Sequence, residues 1–359
     1  MNRVGGDAGG ETAKRAAGPM SRALFIRAAH NATVAPFNLR EGREGEVLLD
    51  VASVGVCGSD LHYFKDGGIG AAVIEAPFVP GHEFGGFLCE DVEDLGLTRG
   101  QLVAVDPNKA CGRCEWCREG HPNLCPHVEF IGAPPFDGAM TERIWVPRSQ
   151  LVALPHGFDP LDAVMLEPLG VAIHAMRLAK PAMMERVAIL GCGPIGLLLM
   201  QVAKAAGAGE VFACDPLPHR RAMAERMGAD RVGASAADIV EWSRGGCPLT
   251  LEATNSPLGF RDAVAATRIG GRIVLVGIPD GDVYTLPAAD ARRRGLKIKF
   301  ARRMGEVYPL AIRFLAAGKI DVRSIVTHRV GLEEAPGAFK ALAENAPGYG
   351  KVLIDLKGT

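Results

Sequence analysis

The chain has 359 residues and a formal net charge of −1, with 48% apolar and 23% charged residues. This is the balance of a soluble globular protein, and the length exceeds one ordinary hydrophobic core, so two domains are expected. The near-neutral charge argues against nucleic acid as the main partner, because neutralising phosphates needs a basic excess.

In chain order, "MNRVGGDAGGETAKRAAGP" is small, polar and aperiodic, so residues 1–20 read as a flexible tail. It lacks a charged-then-apolar secretory pattern, and no segment reaches the roughly 18–20 apolar residues that would span a bilayer. Nine cysteines, an odd number, with no sign of secretion lead to a cytoplasmic expectation, where clustered thiols bind metals more often than they pair.

Residues 21 to 168 carry short Val/Leu strands broken by Gly and Pro, such as "EVLLDVASVGV", "QLVAVDP" and "RIWVP". Helical periodicity is scarce there, so this half reads as mostly β with long loops. Within it, "CGRCEWCREGHPNLC" brings Cys111, Cys114, Cys117 and Cys125 together. Four thiolates in so short a span suit a closed tetrahedral zinc site. Such a site has no vacancy for substrate, so the reading is a structural clasp. Catalytic zinc needs three protein ligands and an open position. Cys57, His82 and Glu83, on loops after apolar strands, supply candidates. Each also has a bland reading, and spacing alone does not prove that they converge.

From residue 186 the text alternates strand and helix, which implies a parallel sheet with right-handed crossovers. "RVAILGCGPIGLLLMQVAKAAGA" is a buried strand, a glycine turn and a helix. In its G-x-G-x-x-G, Gly191 allows the tight turn, Gly193 a close phosphate approach, and Gly196 close helix–strand packing. Pro194 suits the first helical turn, and with Ile195 it opens the helix whose free N–H groups would meet a pyrophosphate. At the end of the next strand Asp215 can accept bonds from the adenosine ribose and would repel a 2′-phosphate, which favours NAD. Arg220 nearby weakens that preference. The basic run from Arg292 to Arg303 reads mostly as a solvated face. After about residue 310 come a helix, a strand, a second helix and a last strand, "GKVLIDL".

Taken together, "CGSDLHY", "PGHE", the four-cysteine lobe, "LEPLGVAIHA", "GCGPIG" and "THR" resemble the zinc-containing medium-chain dehydrogenases, most closely the polyol (sorbitol and xylitol) branch. The resemblance runs from about 21 to 357. It implies an α/β protein: a mostly-β GroES-like zinc domain (21–168 and 310–359) joined to a Rossmann NAD-binding domain (169–309). It implies that Cys57, His82 and Glu83 hold a catalytic zinc, that Cys111, Cys114, Cys117 and Cys125 hold a second one, and that Glu167 meets the metal site. It further assigns Ser59 to the substrate oxygen, His62 to proton exit, and Arg303 to substrate orientation, with Tyr63, Phe130 and Met304 lining the pocket. The expected reaction is oxidation of a polyol's secondary hydroxyl to a ketose with NAD, in a homotetramer or homodimer. Departures are Val92 and Gln101 on the β scaffold, and "RMGEVY", which differs from the sorbitol pattern. An L-threonine or simple alcohol dehydrogenase is the alternative within the class; a non-catalytic zinc-ribbon binding protein is the alternative outside it.

Overall fold

The apolar strands of the first half pair into a mixed seven-stranded sheet in the computed structural model, which describes residues 21–286 and 288–356. The tail expected at 1–20 lies outside the described residues. The sheet runs Leu151–Ala153, Leu102–Val105, Glu83–Leu88, Glu46–Gly55, Lys351–Asp355 and Val326–Gly331, and Arg143–Pro147 pairs beside Glu46–Gly55. The last two strands of the path are parallel; the other pairs are antiparallel. Chain from near both ends of the sequence therefore builds one sheet, over a core that includes Leu49, Val51, Phe84, Phe339 and Ile354.

The middle of the chain forms a six-stranded parallel sheet. Its order is Arg231–Gly233, Val211–Cys214, Val187–Leu190, Cys247–Glu252, Thr267–Leu275 and Lys297–Phe300. This is the doubly wound order, with the strand reversal beside the first strand, where dinucleotides bind. Val187–Leu190 is buried along its whole length, as expected of a parallel strand covered on both faces.

Two helices of more than one turn depart from the mostly-β expectation for residues 21–168. Gly58–Asp66 is capped by Cys57, whose backbone N–H donates to Asp60 Oδ2 at 2.9 Å. Pro160–Ala179 starts with Pro at its first position and a reciprocal Asp159–Asp162 capping box, which Arg323 braces through both carboxylates. It continues straight through Pro168 and Gly170 and across the division placed at 168/169. Burial on nearly all sides compensates for these breakers: Val164, Met165, Leu166, Leu169 and Ala172 are fully buried. The helix packs on both the mixed sheet and the neighbouring helix Pro194–Ala205. Among the described residues, no helix is long and apolar enough to cross a membrane.

Candidate functional site

Strand register assembles the first cluster. Glu83 opens its strand opposite Gly55, two residues before Cys57, and Gly55 also faces Leu353 of the strand that begins at Lys351. A Cβ at Gly55 would strike the Glu83 carboxylate and Val164, so this glycine makes room for the acid to fold inward. One ligand atom each from Cys57, His82 and Glu83 then lies within 4.8 Å of the others. The spacing in sequence left that convergence open; the sheet provides it.

The cluster is nearly dry: His82 is 5% exposed and Glu83 1%. Burial pushes the Cys57 thiol up to about 12, and the Glu83 carboxylate beside it adds to the effect. The His82 Nδ1 is buried without a hydrogen-bond partner, 3.7 Å from Asp60 Oδ1. A raised thiol pKa and an orphaned imidazole nitrogen are what a site built around a cation shows without it, because a bound divalent ion deprotonates a thiol and takes up a nitrogen lone pair. The donor set therefore fits zinc.

Two buried residues of this centre escape sequence reading. Asp60 accepts from the Cys57 N–H and from the Gly81 N–H at 3.2 Å, tying the Cys57 turn to the His82 loop. Its signal was the capping-box spacing Cys57-x-x-Asp60. Lys351 is 1% exposed, donates to the Val56 carbonyl at 3.1 Å and forms an ion pair with Glu83. Burial alone would lower its pKa, but Glu83 and Cys57 raise it overall, so the ammonium persists. Its signal was a lone lysine opening an otherwise apolar strand.

Glu167 projects into the same centre from Pro160–Ala179. Burial pushes it up to about 8, an effect partly offset by His82 and reinforced by the neighbouring Glu83 carboxylate. Ser59 is half-buried and bonded to the Cys57 thiol. Phe130 packs on His82 with ring centroids 5.4 Å apart, and the Arg303 guanidinium lies 4.2 Å from the centroid of the same Phe130 ring. Arg303 Nη1 is buried with no hydrogen-bond partner, and burial lowers its pKa to about 10. Tyr63 is buried against Phe78, and Met304 against Gly170. His62 faces elsewhere: its Nδ1 meets Asp66 Oδ2 at 3.0 Å and its Nε2 meets the Ile278 carbonyl at 3.2 Å.

The four-cysteine lobe holds together as a second cluster, with all nine cysteines of the chain present as free thiols. Cys114 caps the short helix Glu115–Arg118. Its sulfur lies 3.4 Å from that of Cys117 and 3.8 Å from that of Cys125, and the Cys111 N–H points at Cys125 Sγ at 3.4 Å. Backbone N–H groups of Arg113 and Cys114 lower Cys111 to about 6. Four converging sulfurs that form no disulfide fit a closed zinc site.

The glycine turn behaves as its spacing implies. Gly191 has φ +90°, and a Cβ there would meet the Ala253 carbonyl; a Cβ at Gly196 would collide with the Gly191 carbonyl. Gly193 has nothing within 4 Å of its virtual Cβ, the open space a phosphate needs. Pro194 and Ile195 begin the helix Pro194–Ala205. Asp215 is 3% exposed, accepts from the N–H groups of Cys192 and Leu217 at 2.9 Å each, and lies 3.9 Å from Arg220. A cavity of about 140 Å³ is lined by Gly193, Pro194, His219, Arg220 and, from the other sheet, Lys351. The cavity at the glycine turn thus reaches Lys351, the residue that pairs with Glu83 of the first cluster.

Both family signatures are present: the alcohol dehydrogenase GroES-like domain matches residues 43–156, and the zinc-binding dehydrogenase domain matches residues 194–317. The chain belongs to the zinc-binding dehydrogenases and is an oxidoreductase, which sets aside the non-catalytic zinc-ribbon alternative. It is 35% identical to sorbitol dehydrogenase of Bacillus subtilis over 302 residues, 82% of this chain and 86% of that one. Among solved structures, L-idonate 5-dehydrogenase of Escherichia coli superposes with a TM-score of 0.85 at 28% identity, covering 94% of this chain and 99% of that one. An alcohol dehydrogenase of Escherichia coli CFT073 in complex with NADH also gives 0.85, at 26% identity, over 94% of this chain and 100% of that one.

Proposed function

We propose that the protein oxidises a secondary hydroxyl of a polyol to a ketose with NAD as hydride acceptor, in the cleft between the two sheets. The observation that carries this is the convergence of Cys57, His82 and Glu83 within 4.8 Å, with Glu167 beside them and the cavity at the glycine turn reaching their partner Lys351. Similarity to sorbitol and L-idonate dehydrogenases supports the polyol class. Cys57, His82 and Glu83 hold the catalytic zinc, and Cys111, Cys114, Cys117 and Cys125 the structural one. When bound, the catalytic zinc supplies Lewis acidity that makes an alcohol O–H acidic near neutral pH.

The chain's own residues do the rest. Ser59 bonds the substrate oxygen, and His62, one turn along the same helix, takes the proton outward. Glu167 presents its buried carboxyl group to the reacting region. Arg303, braced on Phe130, offers its unpartnered Nη1 to a substrate hydroxyl, and Tyr63, Phe130 and Met304 exclude water from the apolar wall. Gly191, Gly193, Pro194, Ile195 and Gly196 seat the pyrophosphate, while Asp215 and Arg220 hold the ribose. Residues 21–168 with 310–359 act as the catalytic domain and 169–309 as the cofactor domain. The exposed edge strand Lys297–Phe300, with Phe300 64% and neighbouring Ile269 77% exposed, is the seam of a homodimer or homotetramer. The free thiols suit a reducing, cytoplasmic setting.

The direct test is an NAD-reduction screen over sugar alcohols, L-threonine and simple alcohols, with and without a zinc chelator. Chelator-sensitive oxidation of xylitol or sorbitol is expected; turnover confined to L-threonine or primary alcohols would reject the polyol reading. Elemental analysis should find close to two zincs per chain, and one or none would break the two-site assignment. Because Asp215 is fixed at the ribose position by two backbone N–H groups, kcat/KM should favour NAD over NADP by more than about tenfold, one carboxylate–phosphate repulsion of roughly 1–2 kcal/mol. A preference for NADP would remove Asp215 from that role.

A further inference from the structure

His62 makes a hydrogen-bond pattern that only one of its protonation states can satisfy. Its Nδ1 lies 3.0 Å from Asp66 Oδ2, and its Nε2 lies 3.2 Å from the backbone carbonyl of Ile278. A carboxylate and a carbonyl both accept and neither donates. A neutral imidazole carries one N–H and can serve only one of them; the imidazolium carries two and serves both. The two acceptors also belong to different parts of the molecule. Asp66 ends the helix that Cys57 caps, whereas Ile278 follows the fifth strand of the parallel sheet, Thr267–Leu275. The bond to Ile278 therefore crosses the cleft.

The surroundings are rich in carboxylates. The groups facing it are Asp66, Asp280 with Oδ1 3.9 Å from Nδ1, and Asp282, which lines the adjoining cavity. The opposing positive charge is Lys65, which itself bonds Asp280 Oδ1 at 2.9 Å. Asp280 is in turn anchored to Asn255 through its backbone N–H at 2.8 Å and its carboxylate at 3.2 Å, so the parallel-sheet side of the contact is fixed. The lysine already supplies a cation to this carboxylate cluster, and no metal is needed there. Beside the contact is a cavity of about 110 Å³ lined by His62, Asp66, Gly68, Ile69, Ile278 and Asp282, room for a few waters to carry a proton away.

We propose that Asp66 and the Ile278 carbonyl form a socket for the protonated ring of His62, so that a proton on His62 pins the cleft shut and its loss releases one of the two bonds. Asp66 is then a positioning residue: it orients His62 by accepting from its Nδ1. That the pinning proton is the one released by the alcohol rests on the function proposed above. In that case the proton taken from the hydroxyl becomes the hydrogen of the second bond, and the cleft loosens only after it has passed through the cavity to water. The Lys65–Asp280 pair is independent of this proton and keeps the two sides in register.

The latch itself can be tested without alcohol. NADH affinity of the zinc-loaded protein is measured by nicotinamide fluorescence between pH 6 and 9, and His62 is titrated by ring NMR, its signal assigned by its loss in His62→Gln. Glutamine keeps an N–H donor for Ile278 but cannot titrate. In the wild type NADH binding should weaken about tenfold as His62 loses its proton, the worth of one charge-assisted hydrogen bond. In His62→Gln that part of the pH dependence should vanish, whatever His219 in the cofactor cavity contributes to both proteins. Asp66→Asn should move the His62 titration and the affinity change together to lower pH. The same pH dependence in His62→Gln as in the wild type, or an unmoved His62 titration in Asp66→Asn, would overturn the proposal. An inactive substrate screen with an intact His62-linked affinity change would instead count against the reaction and leave the latch standing.

Discussion

His82→Ala should abolish alcohol oxidation while NADH still binds with an affinity within about twofold of the wild type. The imidazole is one of three groups converging in the buried cluster, and its removal leaves too few donors for a catalytic zinc. Lewis-acid stabilisation is worth several kcal/mol, and each 1.36 kcal/mol is tenfold in rate, so the loss should be about 1,000-fold or more. Metal content should fall from two zincs to one, because the four-cysteine lobe is untouched. Cofactor binding should survive because the glycine turn and Asp215 sit on a separate sheet. Turnover within tenfold of the wild type would remove His82 from the chemistry.

Lys351→Met should lower the stability of the metal-free protein by about 3–5 kcal/mol, the usual cost of leaving one member of a buried ion pair without its partner. Both partners here are 2% exposed at the side chain, so water cannot take over. Methionine keeps most of the volume and removes the charge, leaving Glu83 inside with no counterion. Two further outcomes separate this cause from simple misfit. The double variant Lys351→Met/Glu83→Gln should recover most of the loss, since it removes the orphaned charge rather than restoring the pair. Saturating zinc should shrink the difference, because a cation at the cluster compensates the same carboxylate. Urea melts with and without zinc measure all three, and a single-variant loss below about 1 kcal/mol would show that the pair contributes little.

Much of the cofactor half is legible in the sequence alone. An apolar strand, three glycines at fixed offsets, a proline at the helix start and an acid at the end of the next strand are local features, and local geometry alone assigns them their places. The four cysteines were legible for the same reason: their spacing lets one loop bring the sulfurs together. The helix Pro160–Ala179 was not, because Pro168 and Gly170 interrupt its pattern, and what overrides them is burial on both sides, which is a property of packing rather than of the segment.

The cluster of Cys57, His82 and Glu83 divides in the same way. Residue types at Cys57, His82 and Glu83, and the motifs around them, follow from the sequence by itself, as does the class of chemistry they suit. Their convergence does not, since 26 positions separate Cys57 from Glu83 and only the antiparallel pairing of their strands, with a glycine at position 55, closes that gap. Lys351 lies further still, 268 residues from its partner Glu83, and the contact of His62 with Ile278 spans 216. Short-range steric rules fixed the turns and caps from neighbouring residues, whereas charge pairing in a dry interior depends on which strands lie side by side, and that was decided only when the two sheets folded.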